Sequence, residues 1–453
     1  MNFLYNEQEN APRIRSNKMT KPQKIKSVIT SDMEGRIETF NEGAEHIFGY
    51  KREEVIGKKR VSLFSPGQVV LEHVPTWLKI ASEEGEFRTK TIFLHRDGTP
   101  IPAEIQITPT FKDGEQIGYC GITEVLDDID PEEVTPKISA TTKIFTWLVI
   151  TRAPFLTAMI MPILIGSAWV ASKGLSDPFP SIRFWMILLG GIFLQLAANT
   201  LNDFFDWKSG TDQANNDYFL PYTGGSRSLE LGLIDENSLF RFGLISMLLS
   251  ATIGVALAVI SGPGIFVFGL IGAFSAYYYT APPLRLAARR GLGELTIGLN
   301  FGPLATAGTV YALTGQVTPV DFLIGVPIGL LVIAILWINQ FPDEDADKKT
   351  GKINLVVVLG KQRARWGYLL LMLAAFSLTL YWSLKNIFPD GTILFLGGIP
   401  LAIYASIIVI RRFDDRNLVR ANVTTIQLHV LGGLLMAIGL LVNDQITRFL
   451  GSL

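Results

Sequence analysis

The chain has 453 residues, 48% hydrophobic and 18% charged, with 40 Lys and Arg against 41 Asp and Glu and a formal net charge of −1. That length exceeds one compact soluble domain, and a mean hydropathy of +0.32 is high for a soluble chain. Near neutrality excludes the basic field that a nucleic-acid partner requires, and the single cysteine, Cys120, excludes an intrachain disulfide framework.

Residues 1–25 are polar with scattered Lys and Arg and read as a flexible tail without a secretory signal. From 26 to 126 the pattern changes to short strands and helices. Val28-Ile29-Thr30 leads into a turn at Asp32-Met-Glu-Gly35, and Arg36 to Phe40 alternates as a strand does. Glu42 to Tyr50 and Arg52 to Ile56 read as short helices. Asp97-Gly98 and Asp113-Gly114 each separate alternating runs, the signature of a hairpin. The expectation is an α+β unit with a mostly antiparallel sheet. The run from Ile29 to Tyr50 and then Glu53-Glu-Val-Ile-Gly57 resembles a PAS domain, as does His95-Arg-Asp-Gly98 followed by Pro102 to Thr108. The resemblance implies a sensory or dimerising module whose ligand is unknown, and a homodimer through it. Cys120 falls on a late strand, outside the helical Asn-Cys-Arg motif of flavin photoreceptors, and reads as a small core residue. His46 and His73 read as surface or structural histidines rather than haem ligands.

Residues 127–142 are acidic, carry two prolines and read as a linker. From 143 to 453 the chain reads as an all-α polytopic membrane domain. Nine apolar segments predict nine transmembrane helices, over 145–172, 182–206, 238–260, 264–281, 293–313, 321–342, 366–385, 391–410 and 424–446. Sixteen Lys and Arg fall on one side of these segments. Four, Lys173, Arg183, Lys385 and Arg448, fall on the other. The asymmetry places the richer side, with the N-terminal domain, in the cytoplasm and the protein in the inner membrane.

Two polar clusters end apolar segments on that side. Asn199, Asn202, Asp203 and Asp206 lie at helical offsets of zero, three, four and seven, which puts them on one face. Asn339, Asp343 and Asp347 repeat a spacing of four, and Asn199 and Asp203 plus 140 give Asn339 and Asp343, a hint of an internal repeat. Carboxylates gathered without a counter-ion repel. Asp203, Asp206, Asp212, Asp343 and Asp347 therefore predict Mg2+, a hard cation that leaves positions for substrate phosphate. Lys208, Arg227, Lys348 and Lys352 are the candidates to hold a diphosphate.

Asn202 to Asp212 and Asp343 to Leu355 resemble the two aspartate-rich motifs of the UbiA superfamily of intramembrane prenyltransferases. Gly224-Gly-Ser-Arg-Ser228, Tyr279-Thr-Ala-Pro-Pro-Leu284, Gly291-Leu-Gly-Glu-Leu295 and Phe301-Gly-Pro303 favour the branch of 1,4-dihydroxy-2-naphthoate prenyltransferases of menaquinone synthesis. Asn339-Gln-Phe-Pro-Asp343 departs from the basic residue often found before the aspartate in that branch, and leaves the acceptor open. The resemblance implies Mg2+-assisted ionisation of a polyprenyl diphosphate and attack by an aromatic acceptor on the allylic cation. Tyr279 would border that cation, Asn199 and Asn202 would orient ligand or metal-bound water, and an apolar tunnel open to the bilayer would take the chain. The alternatives are another acceptor (a glycerol-phosphate lipid, a chlorin or a homogentisate-like ring) or a PAS-linked membrane sensor or cation transporter. Transport calls for polar groups near helix midpoints, whereas these cluster at helix ends.

Overall fold

The computed structural model describes residues 25–175, 178–215 and 225–450. The expected tail, apart from Ile25, lies outside them, as does Gly224. The chain divides into two compact units.

One unit runs to Ser65 and resumes over His73–Lys137. Its five strands are β1 (Lys26–Asp32), β2 (Ile37–Phe40), β3 (Phe87–Leu94), β4 (Pro100–Lys112) and β5 (Glu115–Val125). They form one antiparallel sheet in the order β2-β1-β5-β4-β3. The two Asp-Gly pairs behave differently. Asp113 and Gly114 both take positive φ, the condition of a type I′ hairpin turn. At Asp97-Gly98 only the glycine does, and the loop closes wider, with the His95 amide donating to the Thr99 carbonyl at 2.9 Å. Asn41 starts α1 (Glu42–Phe48) by accepting from the Ala44 amide at 2.8 Å, and its other bonds, to Val28 and Lys26, tie the helix to β1. The expected helix from Arg52 is a single turn, Arg52–Val55, and a longer one, α2 (Val74–Glu84), was not among the expected elements. The core is aromatic: Phe48 stacks on Phe64 with ring centres 4.3 Å apart, and Ile37, Phe40 and Phe93 close around them. Cys120 is half-buried, and burial pushes its thiol up.

The other unit comprises residues 66–72 and everything described from Ile138 onward. Its principal helices are α3 (Thr157–Ser172), α4 (Ile182–Lys208), α5 (Glu236–Ser261), α6 (Ile265–Tyr278), α7 (Leu292–Leu299), α8 (Ala305–Thr314), α9 (Val326–Lys349), α10 (Lys361–Leu384), α11 (Ile399–Arg412) and α12 (Leu418–Leu441). Among the described residues seven helical stretches are long and apolar enough to cross a bilayer: Ala153–Ser172, Ile182–Lys208, Glu236–Ser261, Pro319–Lys349, Lys361–Leu384, Asp390–Arg412 and Leu418–Leu441. The structure thus carries seven such candidates where nine were expected. The expected span 264–281 is represented by α6, only 14 residues long. The expected span 293–313 is interrupted by a π-turn at Asn300–Leu304, where Pro303 cannot donate to the helical ladder. There Gly302 lies directly against α9; a Cβ on it would come within 2.6 Å of the Gly325 carbonyl.

The expected first span, 145–172, is also not one helix. Helix Ala140–Ile150 stops, Arg152 turns through φ 52°, and a short 3₁₀ segment, Ala153–Leu156, leads into α3. A left-handed arginine beside Pro154 breaks the ladder. The break brings a guanidinium to the end of α4.

Candidate active site

The ends of α4 and α9 and the loops that follow them enclose a polar cavity of ≈ 80 Å³. Asp206, Asp212, Asp343 and Asp347 line it, with Arg152 and Lys352 as the opposing cations. Asn202, Asn339, Gln340 and Tyr279 complete the polar wall. The two loops touch directly, the Thr211 hydroxyl donating to that of Thr350 at 3.3 Å.

Lys352 is the centre of the charge balance. Its Nζ lies 3.2 Å from Asp206 Oδ2 and 3.8 Å from Asp347 Oδ1, so one ammonium bridges the two helix ends. Burial alone would lower its pKa, but Asp206, Asp347 and Asp343 outweigh burial and hold it well above the ordinary lysine value. Its backbone amide donates to the Asp347 carbonyl at 2.8 Å, which fixes the loop behind the side chain. Asp343 accepts from Asn215 at 2.7 Å and Asp347 from Asn354 at 2.7 Å. The second oxygen of Asp347 is buried and accepts no hydrogen bond among the described residues.

The first cluster is used differently. Asp203 is buried away from this cavity, taking the Arg152 guanidinium at 3.3 Å and the Ser226 amide at 3.3 Å. Gly225 passes so close that a Cβ would stand 3.2 Å from Asp203 and 3.4 Å from Asp212, and its φ of 77° is one that glycine takes freely. Burial raises the Asp212 carboxyl well above its usual range, against the opposing Arg227.

The expected residues therefore divide. Asn202, Asp206, Asp212, Asp343, Asp347, Lys352 and Tyr279 are brought together. Asn199 is not in the polar cavity: it accepts from Gln195 at 2.8 Å and donates to the Thr151 carbonyl at 2.9 Å, holding the chain break before α3. Its expected partner by the 140-residue offset, Asn339, does line the cavity and accepts from Asn422 at 2.7 Å, so the two positions are not equivalent. Arg227 is buried behind the site, donating to the carbonyls of Asp212 and Asn215 and pairing with Glu230 at 2.9 Å. Lys208 faces outward into an ion pair with Glu236, and Lys348 is exposed. Neither lysine lines the cavity, because each is set on its helix away from the face that carries the aspartates. Arg152, Asn215 and Gln340 were not anticipated. Arg152 could have been: a charge inside an expected apolar span marks function by default.

Beyond the polar cavity, space continues into the helices. Asn202 and Tyr279 also line a second cavity of ≈ 90 Å³, together with Asn199 and Asn300. Met159, Leu194, Gly272 and Asn300 are shared with a third, of ≈ 300 Å³, walled by α3, α4, α5, α6 and α8 and almost wholly apolar. Of the three consecutive tyrosines only Tyr279 stands at the junction; Tyr277 packs edge-on to Phe205, with ring centres 5.5 Å apart.

The family profile described as the UbiA prenyltransferase family matches residues 159–431, all the helices that build these cavities. The chain belongs to the UbiA prenyltransferase family. It is a multi-span membrane enzyme that transfers alkyl groups larger than methyl. A PAS-domain profile matches residues 26–130, so this UbiA-family transferase carries a PAS domain ahead of its membrane part. The 1,4-dihydroxy-2-naphthoate octaprenyltransferase of Bacillus subtilis is 25% identical over 298 residues, 65% of this chain and 91% of that one. The 2-carboxy-1,4-naphthoquinone phytyltransferase of Synechocystis is 29% identical over 296 residues, 65% of this chain and 92% of the relative. The structure of a UbiA homolog from Archaeoglobus fulgidus bound to GPP and Mg2+ aligns with a TM-score of 0.48 at 20% identity, over 66% of this chain and 99% of that one.

Proposed function

We propose that this chain transfers a polyprenyl group from its diphosphate to 1,4-dihydroxy-2-naphthoate or a closely related ring, a step of menaquinone synthesis. The observation that carries the reading is the series of three adjoining cavities, charged at one end and apolar at the other. Such a series suits a ligand with a charged head and a long hydrocarbon tail. Relatives named for naphthoate acceptors, one for an octaprenyl and one for a phytyl donor, support the ring and leave the chain length to this protein.

The donor set fits Mg2+ held jointly with phosphate. Among the described residues no three acidic, histidine or cysteine side chains form a cage by themselves. Four carboxylates against two cations nevertheless line the cavity, and among the described residues one buried Asp347 oxygen lacks a hydrogen bond. Magnesium commonly takes one or two carboxylates and completes its shell from substrate phosphate and water. Asp206, Asp343 and Asp347 would hold it, with Asp212 on the same wall and Asp203 behind them. When bound, the ion supplies charge neutralisation for the departing pyrophosphate. Lys352 and Arg152 would take diphosphate oxygens. Tyr279, at the junction with the apolar cavities, would present its ring to the allylic carbon where positive charge grows. Closure of the apolar wall keeps water from competing with the acceptor.

In this reading all nine apolar segments cross the inner membrane, α6 and the kinked α7–α8 rod included, with the site and residues 26–126 on the cytoplasmic side. Residues 127–142 link the PAS domain to the catalytic domain of 143–453. The PAS domain modulates transfer or pairs two copies; unchanged rate and oligomeric state after deletion of residues 1–130 would remove both roles. For the main reading, purified full-length protein in lipid nanodiscs is given labelled geranylgeranyl diphosphate, Mg2+ and the naphthoate. The expected result is a labelled prenyl-naphthalene product that Asp206→Asn abolishes. No product with any hydroxylated ring, or full activity in that variant, overturns it.

A further inference from the structure

One buried amide in the polar cavity has an orientation fixed by chemistry. Gln340, on α9, donates from Nε2 to Glu294 Oε1 at 3.1 Å. That carboxylate oxygen also accepts the Leu355 amide at 2.9 Å. Glu294 is on α7, and 3% exposed. A carboxylate receiving two N–H donors takes only the NH₂ end of a neighbouring amide. The alternative orientation of Gln340 would set oxygen against oxygen, so its Oε1 is directed elsewhere. That oxygen is buried and has no partner among the described residues, and Gln340 lines the polar cavity. A buried carbonyl left alone forfeits its solvation, and folded proteins seldom leave one so. The same cavity is lined by Leu336, Ala287 and Tyr279, surfaces against which a flat ring can lie.

We propose that Gln340 Oε1 accepts a hydrogen bond from a ring hydroxyl of the prenyl acceptor and thereby selects hydroxylated rings, with Glu294 as the positioning residue that fixes the amide. The assignment rests on the transferase reading above and names the part of the cavity that reads the acceptor rather than the diphosphate. Gln340 is neutral and its donor end is spent on Glu294, so the amide has only an acceptor left to offer and adds nothing to the hold on an anionic donor. It favours a hydroxyl and disfavours the same position carrying an ether, which has no proton to give. A site built around such a bond discriminates strongly against a ligand lacking the donor, because its own polar group is then stranded. Glu294 also fixes the Leu355 amide, at the end of the loop that carries Lys352, and so couples the ring-reading amide to the charged end of the site.

The test uses the full chain in nanodiscs with labelled geranylgeranyl diphosphate, Mg2+, and two acceptors: 1,4-dihydroxy-2-naphthoate and its mono-O-methyl ethers. Gln340→Met preserves volume and removes the acceptor atom. It is expected to raise the KM for the dihydroxy ring about ten-fold or more, to hold the KM for the diphosphate within about two-fold, and to shrink the preference for the hydroxyl over the methyl ether by a similar factor. Glu294→Gln frees the amide to turn over and is expected to give an intermediate loss of that same preference, which a purely structural role would not move. An unchanged preference in both variants overturns the assignment, as does a diphosphate KM that rises in step with the acceptor KM. Failure of the unaltered chain to prenylate any hydroxylated ring is a different result: it removes the transferase reading, and this inference with it.

Discussion

The two helix ends that meet at the polar cavity carry similar residues at similar spacing, yet they are organised in opposite ways. At the end of α4, cations of the protein already stand against the acids: Arg152 on Asp203, and Arg227 behind Asp212. Asp206 is left as the group shared with Lys352. At the end of α9 the hydrogen-bond partners of Asp343 and Asp347 are amides, Asn215 and Asn354, which orient a carboxylate without neutralising it, and the nearby cation is Lys352, shared with Asp206. One end sets its acids mainly against cations of the chain, and the other orients them mainly through amides. Spacing alone did not separate these roles; the nature of each partner does.

That contrast can be broken by substitution. The largest effect is expected at Asp343→Asn, with turnover falling about 10²- to 10³-fold while the thermal midpoint holds, and at Asp206→Asn, with a similar fall in turnover. Asp203→Asn is expected to lose turnover as well, but with a lowered midpoint, because Arg152 loses its counter-charge; equal midpoints for Asp343→Asn and Asp203→Asn would erase the distinction. Next is Arg152→Met, which strands a buried carboxylate and should cost about 3–5 kcal/mol in denaturant unfolding, with Arg152→Lys restoring part of it. A smaller effect is expected in the apolar cavity. A Cβ on Gly254 or Gly269 meets nothing within 4 Å, so leucine at either position projects into open space. Gly269→Leu should reduce transfer from an octaprenyl donor about ten-fold relative to a geranyl donor, as lost chain burial at roughly 0.8 kcal/mol per methylene implies. Equal loss for both donors would detach this cavity from the chain. The smallest effect belongs to Lys208→Ala and Lys348→Ala, surface charges for which rates should move less than about two-fold.

Much of this was legible in the chain because the rules involved are local. Hairpins announce themselves by Asp-Gly, helices by apolar period, and the site by carboxylates placed where lipid would reject them. Asn202, Asp206, Asp343, Asp347 and Lys352 needed no more than that. What escaped depends on contacts distant in sequence. Glu294 and Gln340 lie 46 residues apart and gain meaning only when α7 packs on α9. Lys208 and Lys348 were drawn in by proximity in sequence, but a helix turns its neighbours to different faces. The places where the first span and the span 293–313 break escaped for a related reason. Hydropathy counts apolar residues and does not register a left-handed Arg152 or a π-turn at Pro303.

The ammonium of Lys352 has a further consequence. Because it already bridges Asp206 and Asp347, the ends of α4 and α9 are clamped by a tether belonging to the chain itself. On the proposed reading a divalent ion would then not be needed as a structural rivet, unlike in a zinc finger, which unravels without its metal. An ion arriving with its diphosphate, and leaving with the pyrophosphate, could exchange at every turnover without loosening the helices. Chelation should then stop the chemistry and leave the thermal midpoint where it was.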